Sequence, residues 1–232
     1  MKTLLYTVSD FKNHAIDCID LLINNIKDSH FDFAIVSNQN IDCKYQIILD
    51  EKKYEYIGFL KYSEKIPNGY DQYIYLDSDI LYFGHSHELF DSSKDFSIVK
   101  EKLLMNTEWF KYPYVNCSEY LKNANSNLGL NAGTFAYKNI TFLKEVRDLY
   151  SPYITQNIHL DARLEQSSYN FALSNIVEFD FSKCYDLTDK TILFADQHPF
   201  YQDRTIYHFC GFSNEMQSKF FKMKNFYDNI KI

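Results

Sequence analysis

The chain has little of what makes a polypeptide loose. Among 232 residues it carries 6 Gly and 4 Pro, which leaves little room for a flexible join between domains. No linker, internal repeat or low-complexity tract interrupts it, so a single domain over residues 1–232 is expected. No stretch approaches the ~18 consecutive apolar residues of a membrane span. The N-terminus, MKTLLYTVSDF, has only a short apolar run before Ser9 and Asp10, which reads as a first strand and not as a signal peptide. Positive charge is not in excess: the formal net charge is −7, which argues against a nucleic-acid partner. The 5 Cys are odd in number and have no paired spacing, so reduced thiols and a cytoplasmic setting are expected. What the chain has in plenty is aromatic: 20 Tyr and 20 Phe with 1 Trp, on an otherwise ordinary background of 46% hydrophobic and 24% charged residues.

Apolar β-prone runs alternate with helical periods. TLLYTV (3–8), FDFAIVSN (31–38), YQIILD (45–50) and QYIYLDSDILYF (72–83) read as strands. Residues 14–29 carry Ile16, Ile19, Leu22, Ile23 and Ile26 at helical spacing, and 53–66 reads as a helix that stops before Pro67. This order predicts an α/β sandwich around a mostly parallel sheet, whose ligands bind beyond the carboxyl ends of the strands. The second half is less regular. Residues 89–102 are expected to continue the sheet and 103–123 to form loop or short helix. Residues 131–139 are expected as a strand, 140–154 and 160–175 as helices, and 176–187 and 204–212 as strand with loop.

The fourth of these strands poses a chemical question. Asp77 and Asp79 are two residues apart in an apolar run, so a continuous strand would send both to one face. Two ionised carboxylates buried together without a partner cost several kcal/mol, order of magnitude. Their place at a strand end suits a hard divalent cation, Mg²⁺ or Mn²⁺, and a nitrogen ligand from His208, in YHFCG, favours Mn²⁺. A solvated loop for the pair and a structural role for the histidine are the alternatives. His85 and His87, just beyond, share an i, i+2 spacing but sit at a Gly84/Ser86 turn and read as loop residues.

YDQYIYLDSDIL resembles the D-x-D strand of GT-A glycosyltransferases, specifically the retaining glycogenin and lipopolysaccharide galactosyltransferase-like family (family 8). NAGTFAYKN, EQSSYN and HFCG resemble three further motifs of that family, in the same order, and the likeness spans residues 3 to 212. It implies a GT-A α/β/α sandwich that moves a hexose, glucose or galactose first, from a UDP-sugar to a carbohydrate-bearing acceptor. It assigns Asp77, Asp79 and His208 to a divalent cation. Thr7, Val8, Ser9 and Asp10 would lie at the uridine, with Lys61, Ser78, Asn131, Ala132 and Gly211 completing the donor site. Gln166 would stand on the reactive face of the sugar with Glu165 beside it. An amide oxygen is a poor nucleophile, so Gln166 would stabilise an oxocarbenium-like centre more readily than form a lasting bond. Gln166 and Asn170, at i and i+4, can face the same way on a helix, whereas Glu165 and Gln166 cannot.

The sequence departs from the family in three places. Glu165 stands where Asp is usual. Asn214 occupies the expected loop lysine position, so either Lys219 serves instead or the charge is absent. Residues 103–130, where the acceptor would bind, resemble nothing that identifies it. The C-terminal tail, 219–232, mixes Lys with Phe, Met and Ile, and reads either as a final helix packed on the domain or as a peripheral membrane contact. The alternatives to retaining transfer are an inverting GT-A enzyme, a non-catalytic sugar-nucleotide or glycan-binding protein on the same scaffold, and a D-x-D phosphatase. In the last, the pair usually follows the first strand, whereas here it follows the fourth.

Overall fold

Hydrophobic strands at the start of the chain pair in parallel and set the frame. The structure is a computed structural model, and it describes residues 1–12, 14–28, 30–54, 56–111, 118–154, 162–195, 204–210 and 216–230. Its strands are β1 (Thr3–Val8), β2 (Asp32–Ser37), β3 (Gln46–Leu49), β4 (Gln72–Leu76), β5 (Ile80–Tyr82) and β6 (Phe96–Ile98). They continue with β7 (Lys100–Leu104), β8 (Leu128–Leu130), β9 (Thr134–Tyr137), β10 (Tyr185–Asp186), β11 (Thr191–Leu193) and β12 (Ile206–His208). The helices are α1 (Ala15–Asn24), α2 (Glu108–Lys111), α3 (Ser118–Ala124), α4 (Thr141–Ile154), α5 (Ala162–Ile176) and α6 (Met216–Ile230).

Seven strands form the central sheet in the order β10-β6-β9-β4-β1-β2-β3. β1 is parallel to β2 and β4, β2 to β3, and β6 to β10, while β9 runs antiparallel between β4 and β6. The sheet is thus mixed but mostly parallel, with strand order reversing at β1 and β4, the place where open α/β sheets bind ligands. A small sheet, β11-β12-β5, and a β7–β8 pair complete the topology.

The aromatics have a structural role. Tyr6, Tyr73, Tyr75, Phe135 and Tyr137 lie on one face of the sheet and are buried with Phe59, Tyr62, Phe142, Tyr150 and Tyr169. Rings of Phe135 and Tyr169 are 5.0 Å apart, as are those of Tyr75 and Phe135. Each such ring buries large apolar area while its hydroxyl still needs a partner. Tyr6 Oη donates to the Lys61 carbonyl at 3.0 Å and shares a 3.1 Å hydrogen bond with Tyr137 Oη.

Three sequence expectations are corrected. The helix expected over 53–66 is a six-residue 3₁₀ turn, Ile57–Tyr62. A three-residue period aligns Tyr56, Phe59 and Tyr62 on one side, where Phe59 meets Tyr150 at 4.6 Å and Tyr62 stacks on Phe135 at 6.1 Å; aromatic packing wins over helical propensity. Gly58 permits this, since a Cβ there would lie 2.2 Å from the Tyr56 ring. The helix expected over 14–29 ends at Asn24, where the Asn25 amide donates back to the Leu21 carbonyl at 2.5 Å. The strand expected over 72–83 is two strands, β4 and β5, broken at the aspartates by a turn in which Ile80 N–H donates to the Asp77 carbonyl at 3.2 Å. Among the described residues no helix is long and apolar enough to cross a membrane.

Candidate active site

The turn between β4 and β5 delivers the two carboxylates to one spot. They do not leave a pleated strand side by side. Asp77 follows the last residue of β4, and Asp79 precedes the first residue of β5, which swings away into the small sheet. β12 then brings in the histidine: it pairs antiparallel with β5, placing His208 opposite Ile80, and Phe209 N–H donates to the Asp79 carbonyl at 2.9 Å. His208 Nε2 thereby lies 3.5 Å from Asp77 Oδ2 and 3.2 Å from Asp79 Oδ1. One ligand atom from each of Asp77, Asp79 and His208 falls within 4.8 Å of the others. Two hard oxygens and one imidazole nitrogen, at a strand end partly open through Asp77, suit a divalent cation such as Mn²⁺. These residues fit the ion that the motif implies.

Gly133 is required by this convergence. Asp77 N–H donates to its carbonyl at 2.8 Å. A Cβ on it would meet His208 Cε1 at 2.2 Å and Asp77 Oδ2 at 2.6 Å. Only the missing side chain lets β9 pass beneath the carboxylates.

Cations surround the pair. Lys61, buried at the end of the 3₁₀ turn, places Nζ 3.3 Å from Asp77 Oδ1, 3.4 Å from Glu165 Oε2 and 3.0 Å from the Ala132 carbonyl. Lys219, on α6, pairs with Asp79 Oδ2. The Tyr75 hydroxyl donates to Asp77, and the Tyr62 hydroxyl to Glu165. Burial would raise the Asp79 carboxyl, but Lys219 and His208 outweigh it and hold the group well below the usual carboxylate range. Burial likewise opposes ionisation of Asp77, and Lys61 with His208 reverses that. Burial would lower the His208 imidazole, yet Cys210 and the two aspartates hold it well above its ordinary value. Glu165 goes the other way. Burial dominates Lys61 and the Tyr62 hydroxyl there, and its carboxyl is pushed up to about 7.

α5 contributes two adjacent residues to different tasks. Glu165 turns toward Lys61 and Tyr62. Gln166 lies against β8, its amide 3.3 Å from the Leu130 carbonyl. Asn170, one turn on, clamps the same residue with both ends of its amide: Nδ2 donates to the Leu130 carbonyl at 2.8 Å and Oδ1 accepts from Leu130 N–H at 2.7 Å. The shared i, i+4 face expected of Gln166 and Asn170 is present, and it faces β8 and not water. Asn131 is buried beside it; its amide donates to Glu101 at 2.7 Å and its oxygen accepts from Gly133 N–H at 2.9 Å.

The end of β1 lies beside the end of β4, with Tyr6 opposite Tyr75 in the last pair; Thr7 and Val8 run on paired only with β2, and Ser9 and Asp10 leave the sheet beyond them, next to the aspartates. Thr7 is fully buried and its hydroxyl has no partner among the described residues. Ser9 Oγ accepts from Phe11 N–H at 3.0 Å, and Asp10 is paired with Lys12 at 3.0 Å. Ser78 is half-buried at the turn. Gly211 and Asn214 lie outside the described residues. Tyr62, Tyr75, Glu101 and Gly133 were not singled out from the sequence. Only Gly133 had a signal there, as the glycine of the NAG segment.

No protein-family model matches the sequence, and no curated protein matches it. Solved structures do match. The apo form of glycosyltransferase GlyE from Streptococcus pneumoniae TIGR4 superposes with TM-score 0.57 at 13% identity, over 99% of this chain and 64% of GlyE. The galactosyltransferase LgtC, solved with donor and acceptor sugar analogs, superposes with TM-score 0.55 at 11% identity, over 97% of this chain and 95% of LgtC. The chain has the GT-A fold. It spans less than two thirds of GlyE and nearly all of LgtC. A variant of LgtC, in which an active-site glutamine is replaced by glutamate, superposes with TM-score 0.53 at 12% identity. In the GT-A frame the D-x-D turn, His208, Lys61 and α5 stand at the carboxyl ends of β1 and β4, the ligand-binding edge of the sheet.

Proposed function

We propose that this protein is a metal-dependent glycosyltransferase that moves a hexose from a UDP-sugar to a glycan, protein or lipid-linked acceptor with retention of anomeric configuration. The observation that carries the reading is the convergence of the Asp77/Asp79 pair with His208, from a distant part of the chain, between Lys61 and Lys219. A divalent cation and a diphosphate enter such a site as a nearly neutral pair. Without them, the acidic side chains are neutralised by lysine and imidazole. When bound at the two aspartates and His208, the ion supplies charge stabilisation for the departing phosphate.

Each side chain then has a task. Lys61 holds Asp77 ionised and ties it to Glu165 and the β8–β9 loop. Lys219 pairs with Asp79, and with an ion held by the aspartates and His208 its ammonium would be available to the phosphate oxygens of the donor. Gln166, with its amide oxygen uncommitted in the hydrogen bonds described, offers a weak dipole to a sugar centre gaining positive charge. That the LgtC variant was made at an active-site glutamine supports this role. Glu165 is engaged by Lys61 and Tyr62 and serves as a positioning residue. In this reading the leaving phosphate takes the acceptor's proton on the same face, which retains the configuration.

The test uses UDP-glucose and UDP-galactose with Mn²⁺ and no acceptor. Free UDP should accumulate with at least one donor, and Mn²⁺ removal by chelation should abolish it. Gln166→Ala should lower kcat by at least tenfold while donor KM moves little, since the lost contact matters in the transition state. Binding of donors without any UDP release would make the protein a sugar-nucleotide binder.

A further inference from the structure

A second cluster of metal-binding side chains lies at the far end of β5 from the D-x-D turn. There the chain leaves β5 through Gly84 into His85, Ser86 and His87. The segment after α1 returns beside it, and its Asp28 binds Ser86 twice: Ser86 N–H donates to Oδ2 at 2.6 Å and Ser86 Oγ to Oδ1 at 2.7 Å. Lys27 N–H donates to the Gly84 carbonyl at 2.9 Å, and Tyr82 Oη to the His85 carbonyl at 2.6 Å. Three of these hydrogen bonds tie the turn carrying the histidines to the Asp28 segment, and the fourth holds His85 to its own strand end. The imidazoles stack with centroids 5.3 Å apart, and His85 Nδ1 lies 3.4 Å from Asp28 Oδ2. One nitrogen from each ring and one Asp28 oxygen all fall within 4.8 Å of one another.

We propose that Asp28, His85 and His87 form a second divalent-metal site, selective for a borderline transition metal such as Zn²⁺. Two imidazoles and one carboxylate are an N₂O set that Mg²⁺ and Ca²⁺, which want oxygen, do not favour. With Zn–N and Zn–O bonds of about 2.0–2.1 Å, two ligand atoms on a tetrahedral ion stand about 3.4 Å apart. The His85–Asp28 separation already meets that. His87 is exposed, so its ring swings the remaining distance without disturbing the core, and the fourth position opens to water. The sequence reading of these histidines as turn residues was right about the turn but lacked Asp28, which only the fold brings to them. A bound ion staples the segment after α1 to the end of β5, the strand that carries Asp79 at its other end. The site is independent of the reaction proposed above.

Co²⁺ is the probe, because its visible spectrum separates nitrogen and oxygen ligation from thiolate ligation. The D77N/D79N double variant removes competition from the first site. It should bind one equivalent of Co²⁺ with no thiolate charge-transfer band, and adding H87A should weaken that binding at least tenfold. In the otherwise unaltered chain, H87A alone should lower the number of bound Co²⁺ from two to one while leaving UDP release unchanged, which keeps the test open if the double variant fails to fold. Excess Mg²⁺ should not displace the second equivalent. Absence of binding to the double variant, a thiolate band, or binding unmoved by H87A would each overturn the proposal.

Discussion

Glu165 concentrates the residue-scale physics of the site. It is almost wholly buried, with a cation and a hydroxyl against it, and still its carboxyl is pushed up to about 7 from the 4.5 of an exposed glutamate. The folded state therefore holds a proton between those values that the unfolded chain has released. Stability from this group is complete below pH 4.5 and is lost as pH rises to 7, at up to about 1.4 kcal/mol per pH unit. Glu165→Gln removes the titration. Urea unfolding of both proteins at a series of pH values should show the wild-type advantage shrinking between pH 4.5 and 7 and level above it; a difference that stays constant across the window would mean that Glu165 is ionised throughout. At this scale the site was partly legible. That Asp77, Asp79 and His208 come together was expected from the D-x-D spacing and from the resemblance of HFCG to a family loop, and the structure brings them together. Tyr62 and Tyr75 were not expected there, because among 20 tyrosines nothing local distinguishes one whose hydroxyl reaches a carboxylate from one that fills the core.

At the scale of elements, the site is made by strand ends and one turn. β4 stops, the chain turns across Asp77–Asp79, and β5 leaves for a second sheet where β12 supplies His208. β9 passes under all three at Gly133. Gly133→Ala should therefore weaken Mn²⁺ binding at least tenfold, because its methyl must displace either the His208 ring or Asp77. A metal titration by calorimetry reads this directly; an affinity equal to the wild type would show that the approach of β9 is not what shapes the site. The parallel core β1, β2, β3 and β4 was readable from apolar runs bounded by polar residues. The break inside 72–83 was not, since the pair is flanked on both sides by strand-forming residues. The 3₁₀ turn at Ile57–Tyr62 was missed for a related reason: its period is set by Phe135 and Tyr150 across the core, which are distant in sequence. The tail, read as either a packed helix or a membrane contact, forms α6, whose Met223 and Phe226 are buried and whose Phe220 stacks on His14 of the α1 cap at 4.8 Å. That packing is what carries Lys219 to Asp79.

For the molecule as a whole, the alternation of strands and helices pointed to the right architecture, and four weak motifs in order pointed to the right fold, which the likeness to GlyE and LgtC bears out. The motifs worked jointly because the fold requires all of them at one sheet edge; each alone is common. Acceptor chemistry stayed illegible because residues 103–130 carry no recognisable pattern, and the β7–β8 pair with exposed Leu103, Leu104 and Leu128 has no counterpart readable from periodicity. The central claim is that Asp77 and Asp79 couple a divalent cation to a nucleotide diphosphate. Its most direct measurement is calorimetric titration of UDP into the wild type and the D77N/D79N variant, each with and without Mn²⁺. The variant leaves the buried Lys61 and His208 without their carboxylates, which costs stability, so its fold is verified by circular dichroism before the titration. UDP should bind the wild type at least tenfold more tightly with Mn²⁺ than without it, and Mn²⁺ should make no difference to the variant. An unchanged Mn²⁺ dependence in the variant would contradict the claim.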